Sequence, residues 1–154
     1  MEGDTAEVGV LCHLTSLPGS GEHGTLGEHA FAFVDRLAEA GATVWQVLPL
    51  NPPDEHSSPY ASHSAFASWT ELRDPAVHDV PDDDMIEHWF SVNEHWSHDW
   101  AMFSVLRSMH DDTPWTEWPV PLRDRHPDAL RSFDERYASD IHQAIIDQVC
   151  FQRD

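Results

Sequence analysis

The sequence predicts an α/β fold, and three consecutive segments carry that expectation: an apolar run over 8–14, a helical pattern over 25–41 and a second apolar run over 42–50. Strand, helix and strand in such close succession make a βαβ unit, whose strands pair parallel and whose crossover is right-handed. Both runs are continuously apolar rather than alternating, the pattern of parallel strands covered on both faces.

The first run, VGVLCHL from Val8 to Leu14, ends in the Gly- and Pro-rich loop TSLPGSGEHG, as a buried strand followed by a turn does. In TLGEHAFAFVDRLAEAG, Thr25 and Glu28 have capping-box spacing. Ala30, Phe31, Val34, Leu37 and Ala38 recur at helical intervals, and Gly41 supplies a left-handed stop. These features predict a helix of about four turns. ATVWQVLPL follows, with Val44, Trp45, Val47 and Leu48 forming a strand that Pro49 terminates. The polar stretch SSPYASHSAF, residues 57–66, therefore lies beyond the C-terminal end of a parallel strand, where ligand sites of α/β folds gather.

Beyond Arg73 the pattern weakens, and DVPDDD reads as a surface loop or a helix N-terminus; Asp82, Asp83 and Asp84 lack the ligand spacing of a calcium loop. Residues 93–110 place Trp96, Trp100, Phe103, Leu106 and Met109 on one face of an amphipathic helix, a stripe that reads as core packing. TPWTEWPVPLRDRHP reads as an extended connector pinned by Pro119 and Pro121. A last helix then carries Leu130, Phe133, Tyr137, Ile141, Ala144 or Ile145, and Val149. It has no Gly stop and no strand after it, so the chain is expected to stop where the fold should continue.

Eight basic residues stand against 28 acidic ones, a formal net charge of −20, and every basic residue is Arg. Such a polyanion has no stripe to neutralise phosphates, which argues against nucleic acid as a partner. The acids are interleaved with Trp, Phe, Leu and Val rather than gathered in a tail. That pattern fits a folded protein adapted to high salt, where a Debye length of about 3 Å suppresses repulsion between carboxylates. Cys12 and Cys150, at opposite ends of the chain, read as small buried hydrophobes of a reducing cytoplasm. No run of 18 apolar residues occurs and the N-terminus lacks a basic segment ahead of an apolar one, so neither membrane nor export is expected.

Twelve histidines raise the question of a metal. His88, His95 and His98 could share one side of a helix, yet no HExxH or CxxC motif accompanies them, and solvated surface histidines are the expectation. No GxSxG elbow accompanies Ser16, Ser20, Ser57, Ser58, Ser62 or Ser64. The glycine-rich first loop precedes a helix but lacks the Lys of a phosphate-binding loop. No cofactor is expected.

GVLCHLTSLPG, FVDRLAEAGATVWQVLPL, SSPYASHSAFA and DWAMFSVLRSMHDDTPWTEWPVPLRDRHPDAL together resemble the 4-alpha-glucanotransferases, or amylomaltases, of glycoside hydrolase family 77. The likeness runs in the family's own order over most of Val8 to Arg153. It implies a (β/α)8 TIM barrel with inserted subdomains, of which residues 1–72 would hold the first βαβ unit and a substrate-rim loop, and residues 73–154 a mostly helical insertion and a following helix. It also implies retaining transfer of an α-1,4-glucan segment to an acceptor sugar, through two carboxyl groups about 5 Å apart. The family's carboxylates fall on later strands, beyond Asp154, so no catalytic residue is assigned in this chain.

By the same likeness Tyr60 would contact the sugar beside the cleaved linkage, with Ser58 helping to position it, on an α-1,4-glucan or maltooligosaccharide. Two departures touch this loop. PPDEH stands where the family has a Gly- and Tyr-bearing turn, and Ser68, Trp69 and Thr70 stand where Gly, Asn and Pro usually follow. With the carboxylates beyond Asp154 and two strands too few to close a barrel, the resemblance implies a truncated transferase with little or no activity alone. The other readings are a non-catalytic glucan-binding fragment, and one half of a split enzyme whose second chain supplies the remaining strands.

Overall fold

The computed structural model describes residues 7–19, 21–54, 56–78 and 80–153, so Ser20 and Glu55 lie outside the described residues. The chain divides between residues 79 and 80 into two compact units.

In the first unit, β1 (Gly9–Leu11) and β2 (Val44–Gln46) pair parallel, with Val10 opposite Trp45, and α1 (Glu28–Glu39) joins them. The expected βαβ unit with parallel strands is therefore present. Thr43 N donates to Val8 O at 2.8 Å and Cys12 N to Gln46 O at 3.0 Å, which extends the pairing beyond both strand ends. Trp45 fastens the layer: its indole Nε1 donates to Cys12 O at 2.8 Å, and Phe33 of α1 meets its ring edge-on at 5.2 Å.

Two expectations for this unit change. The residue capping α1 is Gly27 rather than Thr25, and no side chain caps the helix; the carboxyl of Asp74 instead lies where a Cβ on Gly27 would meet it at 3.0 Å, a negative charge at the positive end of the helix. Gly41 does hold the left-handed conformation expected of it, at φ +82. The strands are not buried on both faces: Leu11 is 58% exposed, Val44 42% and, on α1, Phe31 70%. Burial of a parallel strand needs a neighbour at each edge and a helix on each face, and the described residues of the first unit contain two strands and one long helix.

The second unit is helical among the described residues. Asp82, outside the first turn of α2 (Asp83–Met109), accepts the backbone N–H of Met85 at 2.8 Å, so the acidic run is a helix cap. The predicted connector contains a short helix, α3 (Val120–Arg123), because Pro119 and Pro121 stand at its start, where a missing N–H costs nothing. The predicted last helix is two, α4 (Pro127–Arg136) and α5 (Ala138–Arg153). Tyr137, at φ −116 and ψ 24, leaves the helical path between them. The break redirects the chain so that Ile141, Ile145 and Val149 join Ala101, Met102 and Leu106 of α2, together with Trp118 and Phe133, in one core. Within that core Trp118 Nε1 donates to Thr113 O at 3.2 Å, and Trp89 Nε1 reaches Gln152 Oε1 at 2.8 Å across α2 and α5. Cys12 and Cys150 are free thiols, the second buried. No helix is long and apolar enough to cross a membrane among the described residues.

Leu106 is 4% exposed, and its truncation leaves a cavity between α2 and α5. Leu106→Ala should lower stability in urea titrations by about 2–5 kcal/mol, whereas Val92→Ala, at a position 62% exposed, should change it by less than about 0.5 kcal/mol. With a net charge of −20 and few cations to offset it, the melting temperature followed by circular dichroism should rise from low salt to molar KCl.

Candidate functional site

Because β1 and β2 run parallel, both leave the sheet at the same end, and the segments that follow them meet there. The first loop folds back on itself: a Cβ on Gly24 would stand 2.4 Å from Leu14 O, so only glycine permits this approach. At Gly19 too a Cβ would stand 2.4 Å from a backbone oxygen, that of His23, so both glycines serve close chain packing. The second loop is closed by backbone. Asp54 N donates to Ala61 O at 2.8 Å, Pro53 and Ser62 form an antiparallel bridge, and Trp69 N donates to Leu50 O at 2.8 Å. Asn51 Nδ2 donates to Ala67 O at 2.8 Å beside it.

The serines of this loop brace the backbone. Ser64 Oγ accepts from Phe66 N at 3.1 Å and Ala67 N at 3.0 Å, and Ser62 Oγ lies 2.7 Å from both Pro52 O and Ser64 O. Asp54 Oδ1 accepts from His56 N and Ser58 N, each at 3.1 Å, an Asx turn that sets up the motif. The Ser58 amide holds the Asp54 carboxyl below the usual carboxylate range against the opposing effect of burial, with lesser help from the His56 amide and the nearby His56 and His63 rings. Ser57 takes the left-handed conformation at φ 56.

Ser58 is half-buried, and its Oγ accepts from Tyr60 N over a long 3.4 Å. Tyr60 is 76% exposed. A cavity of about 450 Å³ opens at the same end of the sheet, lined among others by His13, Ser16, His23, Asn51, Ser57, Pro59 and Trp69. Tyr60 and Ser58 are not among its lining residues, although their neighbours Ser57 and Pro59 are.

His13 begins the first loop and stands half-buried, with Nδ1 shut off from solvent and without a hydrogen-bond partner; burial pushes its pKa down. A neutral ring follows. Trp69 and His23 meet with centroids 4.9 Å apart and planes inclined at 51°. Sequence reasoning gave no role to His13, Asn51 or Trp69. Their common signal was position, since each lies a few residues past a strand or at the end of the loop that strand feeds. His98 lies 3.0 Å from Asp134 Oδ1, and no three metal-ligating side chains converge among the described residues.

The sequence profile of the Glyco_hydro_77 family, described as 4-alpha-glucanotransferase, matches residues 12–76 and 69–154. The 4-alpha-glucanotransferase of Thermus thermophilus is 32% identical over 175 residues, covering 86% of this chain and 35% of that enzyme. The chloroplastic/amyloplastic 4-alpha-glucanotransferase of Arabidopsis thaliana is 33% identical over 190 residues, covering 94% of this chain and 33% of that enzyme. Amylomaltase from Streptococcus agalactiae, solved in complex with acarbose, superposes with a TM-score of 0.81 at 26% identity over 96% of this chain and 39% of its own.

The chain thus spans about a third of the length of the curated relatives it matches. The Thermus alignment runs over 175 positions but takes in only 86% of a 154-residue chain, so roughly 40 residues of that relative have no counterpart here. The two profile matches overlap over 69–76. With the family matched along nearly its whole length, the chain belongs to the 4-alpha-glucanotransferases, glycoside hydrolase family 77.

Proposed function

We propose that this chain supplies the N-terminal segment of a 4-alpha-glucanotransferase, an enzyme that transfers a segment of an α-1,4-glucan to an acceptor sugar by a retaining double displacement. The observation that carries the reading is the family match over 12–76 and 69–154, joined to the likeness to an amylomaltase that holds acarbose. In this reading β1, α1 and β2 are the first βαβ unit of a (β/α)8 barrel, and the loop 54–67 stands on its substrate rim. Tyr60, exposed on that loop, contacts the sugar beside the scissile linkage, and Ser58 holds the turn that presents it. The two carboxylates of the retaining step belong to strands outside residues 1–154, and the salt-adapted surface keeps the assembled enzyme soluble.

One observation favours a partner for this chain in catalysis. Val8, Leu11 and Val44 are 57%, 58% and 42% exposed on the two-stranded sheet, and Phe31 on α1 is 70% exposed. Apolar strands with open edges want covering. The rest of the barrel, whether continuous with this chain or a second polypeptide, is the partner that would cover them.

Maltotriose disproportionation in molar KCl tests the division of labour: the purified chain should release no glucose by itself, and release at a rate typical of an enzyme would overturn the claim that the carboxylates lie elsewhere. Tyr60→Ala should weaken maltooligosaccharide binding on the order of tenfold, roughly 1.4 kcal/mol, in calorimetric titration; undiminished affinity would remove Tyr60 from the site. The Asp54 turn carries a pH signature. Its carboxyl titrates below the ordinary value of 3.8, so the turn is fully held above that value and is released as pH falls through the lowered one. The amide resonances of Ser58 and His56 should report that release in acid, and Asp54→Ala should abolish it.

A further inference from the structure

The cavity beyond β1 and β2 is more than the rim motif requires, and its chemistry is uneven in an informative way. One wall is aromatic, Trp69 against His23. The polar groups that also line it are Asn51, whose amide nitrogen is tied to Ala67 O at 2.8 Å, Ser16 at the end of the first loop's helical turn, and the acidic side chain of Glu22. His13 completes it with one ring nitrogen dry and unpartnered.

That nitrogen fixes the tautomer. A proton on Nδ1 would be a buried donor with no acceptor, rarer and costlier in folded proteins than an acceptor left with a free lone pair. The proton is thereby favoured on Nε2, in a half-buried side chain that lines the cavity. A neutral donor, an amide and a hydroxyl beside an aromatic face match a polyhydroxylated ring with one apolar face. The volume of about 450 Å³ suits a small carbohydrate, within the usual range of ligand pockets.

Trp69 N closes onto Leu50 O at 2.8 Å, and that closure holds the indole at the wall of the cavity.

We propose that this cavity is a pyranose-binding subsite, in which Trp69, backed by His23, stacks on the apolar face of one glucose ring and His13 donates from Nε2 to one of its hydroxyls. The inference rests on the glucan reading above and adds to it two binding residues outside the rim motif.

The test is titration of the chain in molar KCl with maltose and maltotriose, by calorimetry and by 15N resonances of the His13 ring, for the wild type and four variants whose folding is checked by circular dichroism. Trp69→Ala should weaken binding at least tenfold, and Trp69→Phe, which keeps a flat face, by much less. His13→Gln places an amide donor near the position of Nε2 and should retain most of the affinity, whereas His13→Ala should lose about tenfold. The His13 resonances should show the Nε2–H form in the free chain and shift on adding maltotriose. Binding by the wild type that all four variants share equally would overturn the subsite while leaving the glucan reading intact. A free chain with His13 protonated on Nδ1 would overturn the role given to that residue. Failure of the wild type to bind either sugar would also overturn the subsite; the transferase reading would then stand or fall on disproportionation by the chain combined with the remaining barrel strands.

Discussion

The parallel pairing of Gly9–Leu11 with Val44–Gln46 is the constraint on which the first unit depends. Antiparallel strands would leave the sheet at opposite ends. Parallel ones leave it together, so the chain must return along a helix, and the segments after Leu11 and after Gln46 are forced into the same space. Trp45 secures the arrangement from within, with its indole on Cys12 O and its ring against Phe33. Everything that could touch a ligand in this unit, from His13 to Trp69, is placed by that pairing.

The second unit answers to a different constraint, the burial of aromatic and branched side chains between α2 and α5. Its core of Met102, Leu106, Trp118, Phe133, Ile141, Ile145 and Val149 holds no charged side chain. Acids occupy caps and outward positions instead: Asp82 closes the start of α2, and Asp99 meets Arg125 at 3.1 Å where both are exposed. Exposed pairs of this kind contribute little individually, so the strong negative charge is carried by the surface while stability comes from packing.

The βαβ order and the parallel pairing were legible because continuous apolar runs and a Gly stop are local signals, and Gly41 holds its expected conformation. The start of α1 was not. Thr25 and Glu28 have the right spacing, but the chain turns at Gly27, where Asp74, 47 positions away in sequence, supplies the negative charge. The break at Tyr137 escaped for a related reason. Helical periodicity continues across it, and only the need to pack Ile141 and Ile145 against α2 distinguishes two helices from one. At the site, the loop with Ser58 and Tyr60 was visible through its motif, whereas His13 and Trp69 belong to the cavity only because separate segments converge.

That convergence clarifies the division of labour within the rim loop. Ser62 and Ser64 spend their hydroxyls on neighbouring backbone, and Asp54 holds two amides, so these polar side chains fix the loop's path. A loop braced from within loses little further freedom on meeting a ligand, and in the proposed reading the contact falls to side chains that take no part in the bracing. Tyr60 and Trp69 would be such side chains, one on the outside of the loop and one at its close, and both offer flat apolar faces without a charge. In a protein with a net charge of −20, neutral recognition has a particular merit: stacking and neutral hydrogen bonds change little with ionic strength, while contacts between charges fade as salt rises.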